Sequence, residues 1–150
     1  MDPRHVVFRS AGERFALPLE AVSEVVTPQP PYARVPRTAD AVRGAMNQRG
    51  RVVAVVDLAP LLGLGGPRLA DGQGQVLVLD RERRGLGFLV EGVMGVEPVG
   101  PLERPGETPV RGLATVRGAP VSVLDPDALC EAAHRLFGVR AAPAPAIDPG

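Results

Sequence analysis

The chain is predicted to be an all-β protein made of two similar units, on three observations. Eighteen glycines and seventeen prolines fall mainly between short Val/Leu-rich runs, which is the punctuation of strands separated by turns. The stretch AVRGAMNQRGRVVAVVD (Ala41–Asp57) returns as PVRGLATVRGAPVSVLD (Pro109–Asp125), with eight of seventeen positions identical at an offset of 68. Finally, LEAVSEV (Leu19–Val25) is echoed 71 residues later by VEGVMGV (Val90–Val96). Self-similarity at a fixed offset marks repeated units. Each half is too short to bury a comfortable core by itself, so two β units should pack together as one domain.

The elements follow in order. HVVFRS (His5–Ser10) and ERFALPL (Glu13–Leu19) flank an Ala-Gly corner and read as a first hairpin. In LEAVSEVV (Leu19–Val26) the residues Leu19, Val22, Val25 and Val26 fall at helical spacing and predict a short helix. The prolines of TPQPPYARVP then forbid regular structure. The first Arg-Gly hairpin, Ala41–Asp57, leads into DLAPLLG, where Asp57 reads as a helix cap and Gly63 as its end. A Gly-rich linker runs from Leu64 to Gly74, after which the order repeats: QVLVLD, a charged turn RERRG, LGFLV and EGVMGV. A Pro-rich loop, Pro98–Pro109, precedes the second hairpin. Asp125 with Pro126 then signals the N-terminus of a closing helix up to Gly138. The tail AAPAPAIDPG has a disordered composition.

Composition excludes several classes. Seventeen arginines balance seventeen acids and there is no lysine, so the basic surplus that nucleic acid demands is missing. Four Phe and one Tyr give no stacking platform for bases. No apolar run approaches the length of a membrane span and no signal peptide is evident, so neither membrane insertion nor export is expected. One cysteine, Cys130, cannot form an internal disulfide, which suits the cytoplasm.

A search for chemistry finds no enzyme. His5 and His134 have no Cys or carboxylate cluster at metal-ligand spacing, so neither metal nor cofactor is expected. Cys130 has no basic neighbour in sequence to lower its pKa and reads as a buried thiol. GLGGPR (Gly63–Arg68) has Arg68 where a nucleotide fingerprint needs its third glycine. Asp57 and Asp125 each follow a strand and open a helix, so capping accounts for both. Features shared by the two copies point to what the fold needs, and features of one copy are freer to be functional. On that ground Met46 and Asn47, opposite Ala114 and Thr115, stand out more than Arg43, whereas Arg49 is matched by Arg117.

The motifs GAMNQRGRVVAVVDL (Gly44–Leu58) and LVEGVMGV (Leu89–Val96), with the closing hairpin and helix from Arg111 to Phe137, resemble the CheW-like domains of bacterial chemotaxis. The resemblance covers about Val6 to Gly138. It implies two pseudo-repeated SH3-like five-stranded β-barrels packed together, with short helices and a C-terminal helix. The domain would occupy 1–138, the first barrel mostly 6–66 and the second mostly 74–138, before a disordered tail at 139–150. It also implies a non-catalytic, cytoplasmic adaptor between the regulatory domain of a CheA-type histidine kinase and the cytoplasmic tip of a chemoreceptor, with no nucleic acid and no membrane insertion. Gly44, Asn47, Arg49 and Gly50 match the family's contact hairpin, and Met46 lies within it. Glu24 lies in a second implicated segment, and Val22, Val25, Val96 and Val99 would floor a groove between the barrels, in the manner of helix-in-groove recognition. Two alternatives keep other classes open: a detached regulatory domain of a kinase or receiver fusion, and a small-ligand-binding β-barrel.

Overall fold

The structure, a computed structural model, describes residues 1–79 and 85–138. Most of the expected charged turn and all of the expected disordered tail lie outside the described residues. The strands are β1 (Arg4–Ser10), β2 (Glu13–Pro18), β3 (Glu24–Val26), β4 (Val42–Gln48), β5 (Arg51–Asp57), β6 (Gln75–Leu79), β7 (Leu86–Val90), β8 (Gly92–Pro98), β9 (Arg104–Pro105), β10 (Val110–Val116) and β11 (Ala119–Leu124). Two helices, α1 (Leu58–Leu61) and α2 (Pro126–His134), each follow the second strand of an Arg-Gly hairpin.

The helix expected over Leu19–Val26 is a correction. Only Leu19–Ala21 makes a 3-10 turn, and Glu24–Val26 is strand β3, with Val25 opposite Leu77 of β6. Ser23 marks the change, since both its backbone N–H (2.8 Å) and its hydroxyl (3.0 Å) donate to the Val78 carbonyl. A sheet edge thus captures a Val-rich segment whose side chains favour strand over helix.

The division into 6–66 and 74–138 is also corrected, because neither sheet follows the sequence halves. One sheet has the order β8-β1-β2-β11-β10-β9 and the other β3-β6-β7-β5-β4. Under the repeat, β1, β2, β3, β4 and β5 correspond to β6, β7, β8, β10 and β11, and the five-strand order β3-β6-β7-β5-β4 becomes β8-β1-β2-β11-β10. Each barrel therefore takes its first hairpin from one repeat and its other three main strands from the other. The exchange is sealed by two parallel pairings in equivalent register: Phe15 and Ala16 opposite Ser122 and Val123, and Leu86 and Gly87 opposite Ala54 and Val55.

The exchanged hairpins hold three cores together. Val6, Phe8, Phe15 and Leu17 of β1–β2 meet Leu77, Leu79, Leu86, Phe88 and Val90 of β6–β7 in the core between the barrels. Leu124 and the α2 residues Leu129, Cys130 and Ala133 complete it. The alternate residues Val7 and Ala16 fill the barrel of the six-stranded sheet, hereafter the first barrel, with Val99, Val116 and Val121. Val76, Val78 and Leu89 fill that of the five-stranded sheet, the second, with Met46, Val53 and Val55. Because side chains alternate between faces, a strand buried on both faces must be apolar at every position. VLVL (residues 76–79) of β6 and LGFLV of β7 are uninterrupted for that reason.

Both Arg-Gly hairpins turn through two residues of positive φ: Arg49 (54°) and Gly50 (80°), then Arg117 (51°) and Gly118 (76°). That is the geometry of a type I′ turn, whose twist suits the flanking strands. Each hairpin also carries a bulge at its far end, between Val42 and Gly44 and between Val110 and Gly112. At Gly44, with φ at 137°, an added Cβ would stand 2.6 Å from the Ala33 carbonyl oxygen and 2.7 Å from the Tyr32 Cβ. Glycine is needed there so that the Pro-rich segment can cross β4, where Ala33 bridges to Ala45. The Gly-rich linker is packed as well, with Leu64 on the core between the barrels and Leu69 on the core of the second barrel.

Two outcomes follow from this architecture. Gly44→Ala should lower stability by about 2–3 kcal/mol, through backbone strain and displacement of the crossing segment, as measured by urea unfolding. Cleavage at a protease site inserted between Gly65 and Gly66 should leave the two fragments co-eluting as one particle, since each barrel needs strands from both. Fragments that separate and unfold cooperatively on their own would refute the exchange.

Candidate interaction surface

The tip of the β4–β5 hairpin is organised by Asn47, whose Oδ1 accepts from the Gly50 N–H at 2.8 Å. This contact holds the turn that points Arg49 outward, with its side chain 80% exposed. Arg49 Nη1 lies 3.9 Å from Glu24 Oε1, and Gln48 Nε2 donates to the same oxygen at 3.5 Å. β3 and β4 are opposite edges of their sheet, so Glu24 meets this hairpin only because the sheet curls until its edges approach. The other barrel repeats the arrangement more tightly, with Arg117 Nε donating to Glu97 Oε2 at 2.7 Å between the β10–β11 turn and β8. Ion pairs this exposed contribute under about 1 kcal/mol. They mark the two seams, and the chemistry of Arg49 remains available at the surface.

The other expected contact residues separate into two groups. Val25 (40% exposed) and Val96 (45%) occupy equivalent positions on β3 and β8. Their strand partners Leu77 and Val6 belong to the core between the barrels, so each valine extends that apolar face past its covered region. Val22 packs half-buried against the same core. Met46 and Val99, in contrast, are buried inside the second and first barrels, and Gly44 is buried beneath the crossing segment. All three are corrections to the expected surface. Met46 differs from its repeat partner Ala114 because the two barrel interiors are filled differently.

Val52, a β5 residue 71% exposed and opposite Asn47, joins this surface beyond the residues expected from the sequence. In the run RVVAVV its signal was its parity: Val53 and Val55 face the barrel, which turns Val52 outward.

A second polar cluster centres on Asp57. The Asp57 side chain makes no capping bond on α1; it accepts from Arg43 Nη1 at 3.3 Å and Arg68 Nη2 at 2.9 Å. Arg43 further donates to the Leu69 carbonyl at 2.8 Å and to Asp71. The side chains of Arg43 and Asp57 are 8% and 6% exposed. Burial pulls the Arg43 pKa down, but the hydrogen bond to Asp71 and the charge of Asp57 more than offset this and leave it above its ordinary value. Burial likewise raises the pKa of the neighbouring Tyr32. In the second copy Asp125 does cap its helix, accepting from the backbone N–H groups of Asp127 (3.0 Å) and Ala128 (3.3 Å), and Arg111 is exposed. The same letters therefore perform different work in the two repeats. Among the described residues no cluster of His, Cys, Asp and Glu is arranged to hold a metal ion, and no helix is long and apolar enough to cross a membrane.

Residues 4–134 match the family model described as CheW-like domain. Over 90 residues the chain is 33% identical to protein PilI of Pseudomonas aeruginosa, a match covering 60% of this chain and 49% of PilI. The matched region thus spans about half the length of that curated relative. The crystal structure of the scaffolding protein TtCheW from Thermoanaerobacter tengcongensis superposes with a TM-score of 0.71 at 25% identity, covering 83% of this chain and 90% of that one. The two-barrel, SH3-like architecture of this chain is the one shared with that scaffold.

The two arginines at equivalent repeat positions should respond differently to truncation. Arg43→Ala leaves a buried carboxylate short of a partner and should cost about 3 kcal/mol. Arg111→Ala should stay within about 0.5 kcal/mol of wild type. Thermal and urea unfolding of the two variants side by side will check this.

Proposed function

The chain belongs to the CheW-like domain family, whose members are non-catalytic scaffolds, and we propose that it is an adaptor coupling chemoreceptors to a CheA-type histidine kinase. It would act in the cytoplasm, in a chemotaxis array or its counterpart in a related motility pathway. The observation that carries this reading is the pairing of a rigid polar hairpin tip with apolar side chains left uncovered around it. Asn47 fixes the turn and Arg49 projects from it, while Val52 stands exposed on the same hairpin. An Arg beside an exposed apolar residue on a preorganised turn is the composition from which interface hot spots are built.

Val25 and Val96 support the second half of the proposal. Each offers an apolar edge of the face on which the barrels pack, the kind of surface that takes the apolar stripe of an amphipathic helix. The cytoplasmic tip of a chemoreceptor, a helical hairpin, is the partner assigned to it. The kinase regulatory domain is assigned to the hairpin. The match to a structure described as a scaffolding protein supports coupling over catalysis or small-ligand binding.

The two contacts can be tested separately by calorimetry on the purified chain. Arg49→Ala and Val52→Asp should each weaken binding of a cognate kinase regulatory domain by about tenfold or more without loss of fold. Val25→Asp should leave kinase binding intact and weaken binding of the receptor tip. Wild-type affinity in all three variants would remove the site assignment, and a wild-type chain that binds neither partner would defeat the adaptor role.

A further inference from the structure

Where the Pro-rich segment crosses β4, it roofs a cavity of about 420 Å³ on the outside of the second barrel. Four arginines line it, Arg34, Arg37, Arg43 and Arg68, against one acid, Asp40, and the lining is dominated by polar groups. In a chain of zero formal net charge this is a local concentration of guanidinium. Two of the four are already engaged, Arg43 by Asp57 and Asp71 and Arg68 by Asp57. Arg34 and Arg37 are exposed and make no ion pair among the described residues. Arg37 is also held at a φ of 58°, outside the usual range for a residue with a side chain. Tyr32 lines the same cavity and packs against the core of the second barrel.

We propose that this cavity binds a small phosphate monoester. Arg34 and Arg37, without an ion pair among the described residues, supply the chemistry of a phosphate site, since a phosphate group accepts paired N–H bonds from arginine. Arg43, held by its two carboxylates and the Leu69 carbonyl, is a fixed part of the wall, and the charge for the ligand comes from Arg34 and Arg37. The cavity is far larger than a bare phosphate ion needs and falls in the range of small-molecule sites. With so few apolar groups in its wall, it suits a hydrophilic body such as a sugar. The exposed residues of its wall are Arg34, Pro36, Arg37, Asp40 and Arg68, and none of Asn47, Arg49, Val52, Val25 or Val96 lines it. The inference therefore stands apart from the adaptor reading.

The test is a titration of the ¹⁵N-labelled full chain with ribose 5-phosphate, inorganic phosphate and ribose, followed by NMR. The expected result is a saturable shift confined to Tyr32–Gly44 and Arg68 with ribose 5-phosphate, about tenfold weaker binding of inorganic phosphate, and none of ribose. The double variant Arg34→Ala/Arg37→Gly removes two exposed side chains, and glycine relieves the positive φ, so the fold is retained. Loss of charge-assisted hydrogen bonds should weaken the ester by about tenfold or more, while Arg9→Ala on β1 should change nothing. No saturable shift, equal binding of ribose, equal affinity for phosphate and ester, or unaltered affinity in the double variant would each overturn the proposal.

Discussion

The exchange of first hairpins between the repeats is the constraint on which the rest of the molecule depends. β1–β2 and β6–β7 are each buried on both faces, one turned into a barrel and the other against the opposite barrel. Neither barrel can lose its borrowed hairpin without also uncovering the surface where the two pack. Two small β units, each marginal by size, become one cooperative core. Across it the two hairpins supply Phe8, which stacks on Phe15 with ring centroids 6.0 Å apart, and Phe88.

The surface follows from that arrangement. With the middle strands committed to packing, recognition is left to strand edges and hairpin tips. The edge strands β3 and β8 carry Val25 and Val96, and the free tips carry Arg49 and Arg117. Both tips are drawn towards an edge strand by a glutamate, Glu24 or Glu97. A polar tip of this kind is held by its own turn and by its seam, so it pays little entropy on meeting a partner.

Much of this was legible in the sequence. Turn residues and paired motifs marked the longer strands, the repeat the doubled unit, and Asp125-Pro126 the start of α2, whereas β3 fell in a segment of helical spacing and β9 in the Pro-rich loop. Two things were hidden. Strand exchange leaves no local trace, because a hairpin has the same letters whichever neighbour it joins, and only its apolarity at consecutive positions hinted at burial on both faces. The residues of the site were judged by comparing copies, which assumes that matched letters share a job. Arg43 and Arg111 show why that fails: one is buried against Asp57 and the other faces solvent, because only the first repeat is followed by a linker that folds back with Arg68 and Asp71. Met46 misled in the opposite direction, since a difference between copies recorded a difference in barrel filling.

The parallel pairing of β2 with β11 also has a consequence for synthesis on the ribosome. On the side of β2 away from β1, Phe15 and Ala16 pair with Ser122 and Val123, about a hundred residues later in translation. At typical elongation rates of roughly 5–20 residues per second, the nascent β1–β2 hairpin waits on the order of 5–20 seconds with Val7 and Ala16 lacking Val116, Val121 and Val123. Contacts this distant in sequence slow folding and lengthen exposure to aggregation. The interlocking that makes the finished molecule one unit thus makes its first residues clients of whatever shelters nascent chains.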